Sequence, residues 1–186
     1  MASVTKQFIP NGADLKKFVG ALKEKGLGVV LTQGVFDLIH EGHALYLEKA
    51  KAHGDVLIVG VDSDELTRKR KGPNRPIVPQ AERVSMLLHL RHVDIVTIRE
   101  ANDDIGHLIR LIRPDVLITS SSTADFTDEF KREYAEFCKE VVTLPPQATT
   151  TTTARIRNLT IDGAEKLAAE LQKLTQDFIN KIKEGQ

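Results

Sequence analysis

Gly34-Val-Phe-Asp-Leu-Ile-His-Glu-Gly-His43 lies between an apolar run, Gly28-Val-Val-Leu-Thr-Gln33, and Ala44-Leu-Tyr-Leu-Glu-Lys-Ala-Lys51, whose apolar residues recur at helical spacing. The first run is short and β-branched, so it reads as a buried strand, and the stretch between becomes a strand-to-helix turn. A turn of that kind aims unpaired backbone N–H groups and the positive end of a helix dipole at one place, which suits phosphate. His40 and His43 are three residues apart and share one face near the helix start. Each residue also has a plainer reading. Histidines near a helix start can cap it, face solvent or hold a metal, Asp37 can cap the helix, and Phe36 can be core. Cys138 is the one cysteine and has no Cys or His at ligand spacing, which argues against zinc.

Working outward, Asp55-Val-Leu-Ile-Val-Gly-Val-Asp62 is apolar at consecutive positions, as a parallel strand covered on both faces should be. Strand, helix and strand then make a βαβ unit. Upstream, Leu15, Phe18, Val19 and Leu22 define a helix over 13–25 that Gly26 stops. Downstream, Ser63-Asp64-Glu65 opens a helix; Asp62 and Asp64 are either part of an acidic helix start, the reading adopted, or Mg²⁺ ligands. Arg68-Lys-Arg-Lys-Gly-Pro-Asn-Arg-Pro-Ile77 is the concentrated basic patch, and its Gly and two Pro residues predict a loop. A charge run can be a mere solvated face, but beyond the carboxyl end of a parallel strand it is placed for phosphate. Periodicity and breakers then predict a helix over 79–90, a strand over 93–98, a helix over 103–113, a strand over 116–119, a helix over 125–139 and a strand over 141–144. His53 reads as a dipole partner at a helix end, and His89, His92 and His107 have no useful partner spacing. The tract Thr149-Thr-Thr-Thr-Thr153 is either a flexible linker or a set of hydroxyls capping a helix and meeting phosphate.

Bulk properties narrow the field. The chain has 186 residues, with 26 Lys+Arg against 26 Asp+Glu, so its formal charge is zero. Neither a nucleic acid nor a membrane is expected as partner, since either usually calls for a basic excess. A lone cysteine fits a reducing cytoplasm, and no apolar run approaches the ~20 residues a bilayer span needs. The expectation is a cytoplasmic protein organised as an N-terminal helical segment (1–27), a main domain (28–160) and a C-terminal helix (161–186). The fold expected is α/β, a doubly wound, Rossmann-like, five-stranded parallel sheet with ligands over the carboxyl ends of its strands. Leu167, Leu171, Leu174, Phe178 and Ile182 make the C-terminal helix amphipathic, so it should pack across the domain or against a second copy, giving a homodimer.

The 34–43 stretch resembles the signature of the nucleotidyltransferase family that includes glycerol-3-phosphate cytidylyltransferase and the heptose-phosphate adenylyltransferases. Its Gly-x-Phe-Asp-x-x-His-x-Gly-His pattern is matched by Gly34, Phe36, Asp37, His40, Gly42 and His43. The run Lys71-Gly72-x-x-Arg75-Pro76-Ile77, with Pro79 and Glu82-Arg83, resembles the adenylyltransferase version, and Thr151, Thr152 and Thr153 stand where the family has Ser-Thr-Thr. The resemblance implies transfer of a nucleoside monophosphate, ATP favoured, to a sugar phosphate or similar phosphomonoester, with pyrophosphate released and Mg²⁺ as cofactor. It assigns catalysis to His40, His43 and Lys71. It places nucleotide contacts at Gly34, Val35, Phe36, Asp37, Gly42, Arg75, Arg83 and Thr151 to Thr153, with Arg83 either a phosphate or a structural contact. Two departures matter. Thr119-Ser-Ser-Ser-Thr-Ala-Asp125 replaces the family's glycine and aspartate, and Pro146 and Thr149 replace an arginine and glycine of the cytidylyltransferases. The alternatives are a CTP-dependent cytidylyltransferase and a nucleotide-binding relative without turnover. A class I tRNA synthetase, whose His-x-Gly-His element is similar, fails on size and on the lack of a basic extension.

Overall fold

Residues 29–31 of the central strand are fully buried, and the whole architecture follows from covering that strand on both faces and both edges. The computed structural model describes residues 7–121, 128–147, 159–161, 163–173 and 175, in two units, 1–149 and 150–186. In the first unit, β1 (Gln7–Phe8), β2 (Val29–Gly34), β3 (Val56–Asp62), β4 (Ile95–Arg99), β5 (Val116–Ser120) and β6 (Glu140–Leu144) form one sheet in the order β1-β4-β3-β2-β5-β6. Every described pairing is parallel. The sheet is thus the expected Rossmann-like one with a sixth strand added. Two residues, Gln7 and Phe8, paired with Ile95 and Val96, carry no periodicity to be read.

Helices cover the two faces in alternation with the strands. Alternate residues of β2 serve opposite layers: Val29 and Leu31 join Leu15, Val19 and Leu22 of α1 (Gly12–Glu24) and Leu108, Ile109 and Ile112 of α5 (His107–Ile112). Val30 joins Leu47 of α2 (Glu41–Lys51) and Val84 and Leu87 of α4 (Gln80–His89). Each such side chain contributes roughly 1.5–3 kcal/mol of burial free energy. α1, within the N-terminal helical segment, thus packs against the sheet and shares its core. Asn11 caps α1 by accepting from the N–H groups of Ala13 and Asp14.

The basic patch departs from the expected loop. Its first four residues are the last turn of α3 (Asp64–Lys71), and the chain leaves the helix at Gly72, whose φ of +96° is open to glycine. Four cations against the negative end of a helix dipole are stabilised there, and Gly72 with Pro73 directly after it ends the helix. The helix expected over 103–113 is shorter, and α6 (Asp128–Tyr134) covers only the middle of the expected 125–139 helix, whose first residues lie outside the described ones. In the second unit, residues 159–161 and 163–173 are helical with Leu159, Ile161, Leu167 and Leu171 exposed. Leu174, Phe178 and Ile182 lie outside the described residues. Among the described residues, no helix is long and apolar enough to cross a membrane.

Candidate active site

The chain runs from β2 to β3 and β4 on one side and returns to β5 on the other, so strand order reverses beside β2. In open parallel sheets that reversal leaves a crevice at the carboxyl ends of the strands, where ligands bind. The 34–43 turn emerges there. Phe36 and Leu38 hold left-handed backbone angles, φ +53° and +46°, an uncommon conformation for residues with side chains that recurs at functional turns. The outcome is a buried Phe36 ring that touches Gly34 and lies 5.7 Å from the His43 ring.

His40 is the N-cap of α2, its Nδ1 accepting from the N–H of Gly42 at 3.1 Å. His43 reciprocates, its Nδ1 facing the N–H of His40 at 3.4 Å, and the ring centroids are 4.1 Å apart. An imidazole that accepts at Nδ1 carries its proton, when neutral, on Nε2, so the hydrogen-bond pattern assigns both rings as Nε2 donors. Burial, then the neighbouring His40 and the Lys71 ammonium, pull the His43 pKa down to about 4, with Asp37 opposing. His43 is therefore an uncharged donor at neutral pH. Lys71, at the end of α3, stays exposed at its surface, yet partial enclosure and the Arg70 and Arg75 charges press its pKa below the ordinary range. A buried histidine depressed by a nearby lysine, and a lysine depressed by neighbouring arginines, would both gain from an anion bound beside them.

Asp37 does not cap α2. Its carboxylate accepts from Arg75 Nη1 at 3.0 Å and from the N–H groups of Ile77 and Val78 at 3.0 and 2.9 Å, tying the signature turn to the 72–79 loop. Burial alone would raise its pKa; those three donors outweigh it and hold the carboxyl below its usual range. Arg83, of whose two expected roles the structural one is what the geometry displays, is fully buried. It donates from Nε to the Val78 carbonyl and from its terminal nitrogens to Val35 O, Asp62 O and the Asp64 carboxylate. Ser63, not Asp62 or Asp64, caps α3. Asp62 is fully buried between Arg99 and Arg70, which leaves it poorly placed as a Mg²⁺ ligand.

Gly34, Val35, Phe36, Asp37, His40, Gly42, His43, Lys71, Arg75 and Arg83 are thus gathered by the α2 start and the end of α3, while Thr151, Thr152 and Thr153 lie outside the described residues, as do residues 122–127. Sequence reasoning missed Arg99, which fixes Asp62 and through it Arg70, the neighbour of Lys71. A signal existed: two apolar strands end in opposite charges, and Asp62 and Arg99 are register partners on β3 and β4. Among the described residues, no group of three or more His, Cys, Asp or Glu could hold a metal. A cavity of about 610 Å³ lined by Lys23, Gly28, Arg113, Asp115 and Phe137 lies at the opposite, amino-terminal edge of the sheet. Its cations are engaged locally, Lys23 with the Ile112 and Arg113 carbonyls and Lys139 with Asp115.

A family model described as cytidylyltransferase-like matches residues 31–177. The bifunctional protein HldE of Helicobacter acinonychis is 40% identical over 140 residues, which is 75% of this chain and 29% of that protein. HldE of a Nitratiruptor species is 43% identical over 114 residues, 61% of this chain and 24% of that protein. The chain thus spans less than a third of the length of these relatives. A lipopolysaccharide core biosynthesis protein of Thermoplasma volcanium superposes with a TM-score of 0.56 at 25% identity, covering 68% of this chain and 100% of that one. Pantoate-beta-alanine ligase of Francisella tularensis superposes with a TM-score of 0.59 at 14% identity, over 78% of this chain and 69% of that one, a likeness of fold.

Proposed function

The chain belongs to the cytidylyltransferase-like family, and from that premise we propose that it is a nucleotidyltransferase, moving a nucleoside monophosphate from a triphosphate, ATP favoured, to a sugar phosphate or similar phosphomonoester. One observation carries the reading: two histidines locked by a mutual cap at the start of α2, with Lys71 close enough to depress the His43 pKa. A phosphate oxygen of the acceptor attacks the α-phosphorus, a new P–O bond forms, the bond to the β-phosphate oxygen breaks, and pyrophosphate leaves. No protein nucleophile is required. The Nε2 donor of His43, alongside His40, stabilises charge as it builds on the α-phosphate oxygens, and the α2 N-terminus orients that phosphate. Lys71 neutralises phosphate, and Arg75, held by Asp37, sets the loop beside it. ATP over CTP is favoured by the Lys71 to Ile77 loop, which resembles that of the heptose-phosphate adenylyltransferases, and by the identity to HldE over the matched residues.

Mg²⁺ supplies charge neutralisation on the triphosphate; with Asp62 and Asp37 both engaged by arginines, its ligands would be mainly phosphate oxygens and water. The proposed partner of the apolar residues Leu159, Leu167 and Leu171 is a second copy of the chain. The deciding assay incubates the protein with Mg²⁺, each of the four ribonucleoside triphosphates and a panel of sugar and polyol phosphates, and measures pyrophosphate. Release with ATP and one sugar phosphate, abolished when Mg²⁺ is omitted, is expected. Silence with every pair overturns the reading.

A further inference from the structure

Two polar residues interrupt the apolar run of β2, and they fare differently. Thr32 is buried on the α2 face and bonds the Tyr46 hydroxyl at 2.8 Å, which also reaches the Ile118 carbonyl. Gln33 projects to the other face, at the carboxyl end of the strand, one residue before the signature turn. Its Nε2 donates to the Ile105 carbonyl at 2.7 Å, on the segment that leaves β4. That bond fixes which way the amide lies, since the flipped amide would set two oxygens against each other. The Oε1 left on the far side is, among the described residues, the one buried side-chain nitrogen or oxygen without a hydrogen-bond partner.

An orphaned acceptor is a standing loss, and a residue that fills an apolar space without one was available. The stem of Gln33 lies against Gly60, its register neighbour on β3, where an added Cβ would meet Leu108 at 2.5 Å and the Gln33 Cβ at 3.3 Å. Gln33 as a residue is only partly buried, and its terminal amide torsion is soft.

We propose that Gln33 is a specificity-determining residue: its Oε1 accepts a hydrogen bond from a neutral donor, a hydroxyl or an amino group, on a ligand lying over the carboxyl end of β2. The inference rests on the nucleotidyltransferase reading, and the donor belongs either to the nucleotide or to the acceptor. Gln33→Met keeps the volume and removes the acceptor, together with the Nε2 donor to Ile105. The KM of each substrate is measured separately for wild type and variant, along with kcat and Tm. The expected result is a rise of about 10- to 100-fold in one KM, with kcat at saturation little changed and Tm lowered modestly by the lost Ile105 bond. In the nucleotide arm, purine riboside triphosphate, 2′-deoxyATP and 3′-deoxyATP each lack one donor; one of them should lose the same factor on wild type and nothing further on Gln33→Met. In the acceptor arm the deoxy analogues of the active sugar phosphate play that part. An active wild type whose Gln33→Met variant matches it in both KM values overturns this inference alone. A wild type that binds no triphosphate and releases no pyrophosphate overturns the functional reading and this inference with it.

Discussion

His43 sits between the Phe36 ring and His40, and that enclosure decides its chemistry more than its place in a motif does. A neutral histidine whose Nδ1 accepts from the His40 N–H carries its hydrogen on Nε2 and can donate it to a developing oxyanion. Replacing it by alanine removes one transition-state donor, so kcat should fall roughly 10²- to 10³-fold while the circular dichroism spectrum and Tm stay near wild type; unchanged pyrophosphate release from a folded His43→Ala protein would contradict the role. The same enclosure affects stability. An unfolded histidine takes a proton near pH 6.5, whereas His43 in the fold waits until about pH 4. Stability from keeping it neutral is therefore complete above about pH 6.5 and is lost as pH falls from there toward 4. Urea midpoints measured across that window should decline less steeply in His43→Gln, which carries no proton to gain; identical slopes would show that other groups set the decline.

The α2 start, the end of α3 and the 72–79 loop are separate elements that the site needs in one place, and two buried ionic groups join them. Asp37 ties the turn to the loop, and Arg83 on α4 ties the turn at Val35 to the loop at Val78 and to β3 at Asp62. Removing Arg83 strands three carbonyls and leaves Asp64 without its arginine. Arg83→Leu should therefore destabilise the protein by about 3 kcal/mol or more, roughly 6–12 °C in Tm. Lys71→Ala, by contrast, should leave Tm nearly unchanged and still cripple turnover, because Lys71 lies at an exposed helix end. A thermal melt of the two variants side by side checks the division; an Arg83→Leu protein as stable as wild type would return Arg83 to the ligand-binding group. The Arg68 to Lys71 turn is helical up to the break that Gly72 and Pro73 signal, although the patch as a whole reads as a loop; Arg70 reaching Asp62 is a contact that local residues do not reveal.

Across the molecule, the helical residues 159–161 and 163–173 present Leu159, Leu167 and Leu171 to solvent, with polar residues of the sequence between them. If a second copy covers that stripe, sedimentation velocity should show mass rising with concentration, and Leu167→Glu with Leu171→Glu should hold the chain monomeric without loss of secondary structure; a wild-type mass independent of concentration removes the dimer. The five strands β2 to β6, the βαβ unit and the histidine-bearing turn were legible from residues alone, since strand and helix periods and the stereochemistry of a strand-to-helix turn are local and need no partner to be recognised. The short edge strand β1, the pairing of Asp62 with Arg99, the burial of Arg83, the approach of Lys71 to His43 and the orphaned oxygen of Gln33 were not. Each joins residues from different elements. Whether a charge ends up paired, buried or facing a ligand depends on strand register and on how the elements pack, and those contacts come into being when the chain closes on itself.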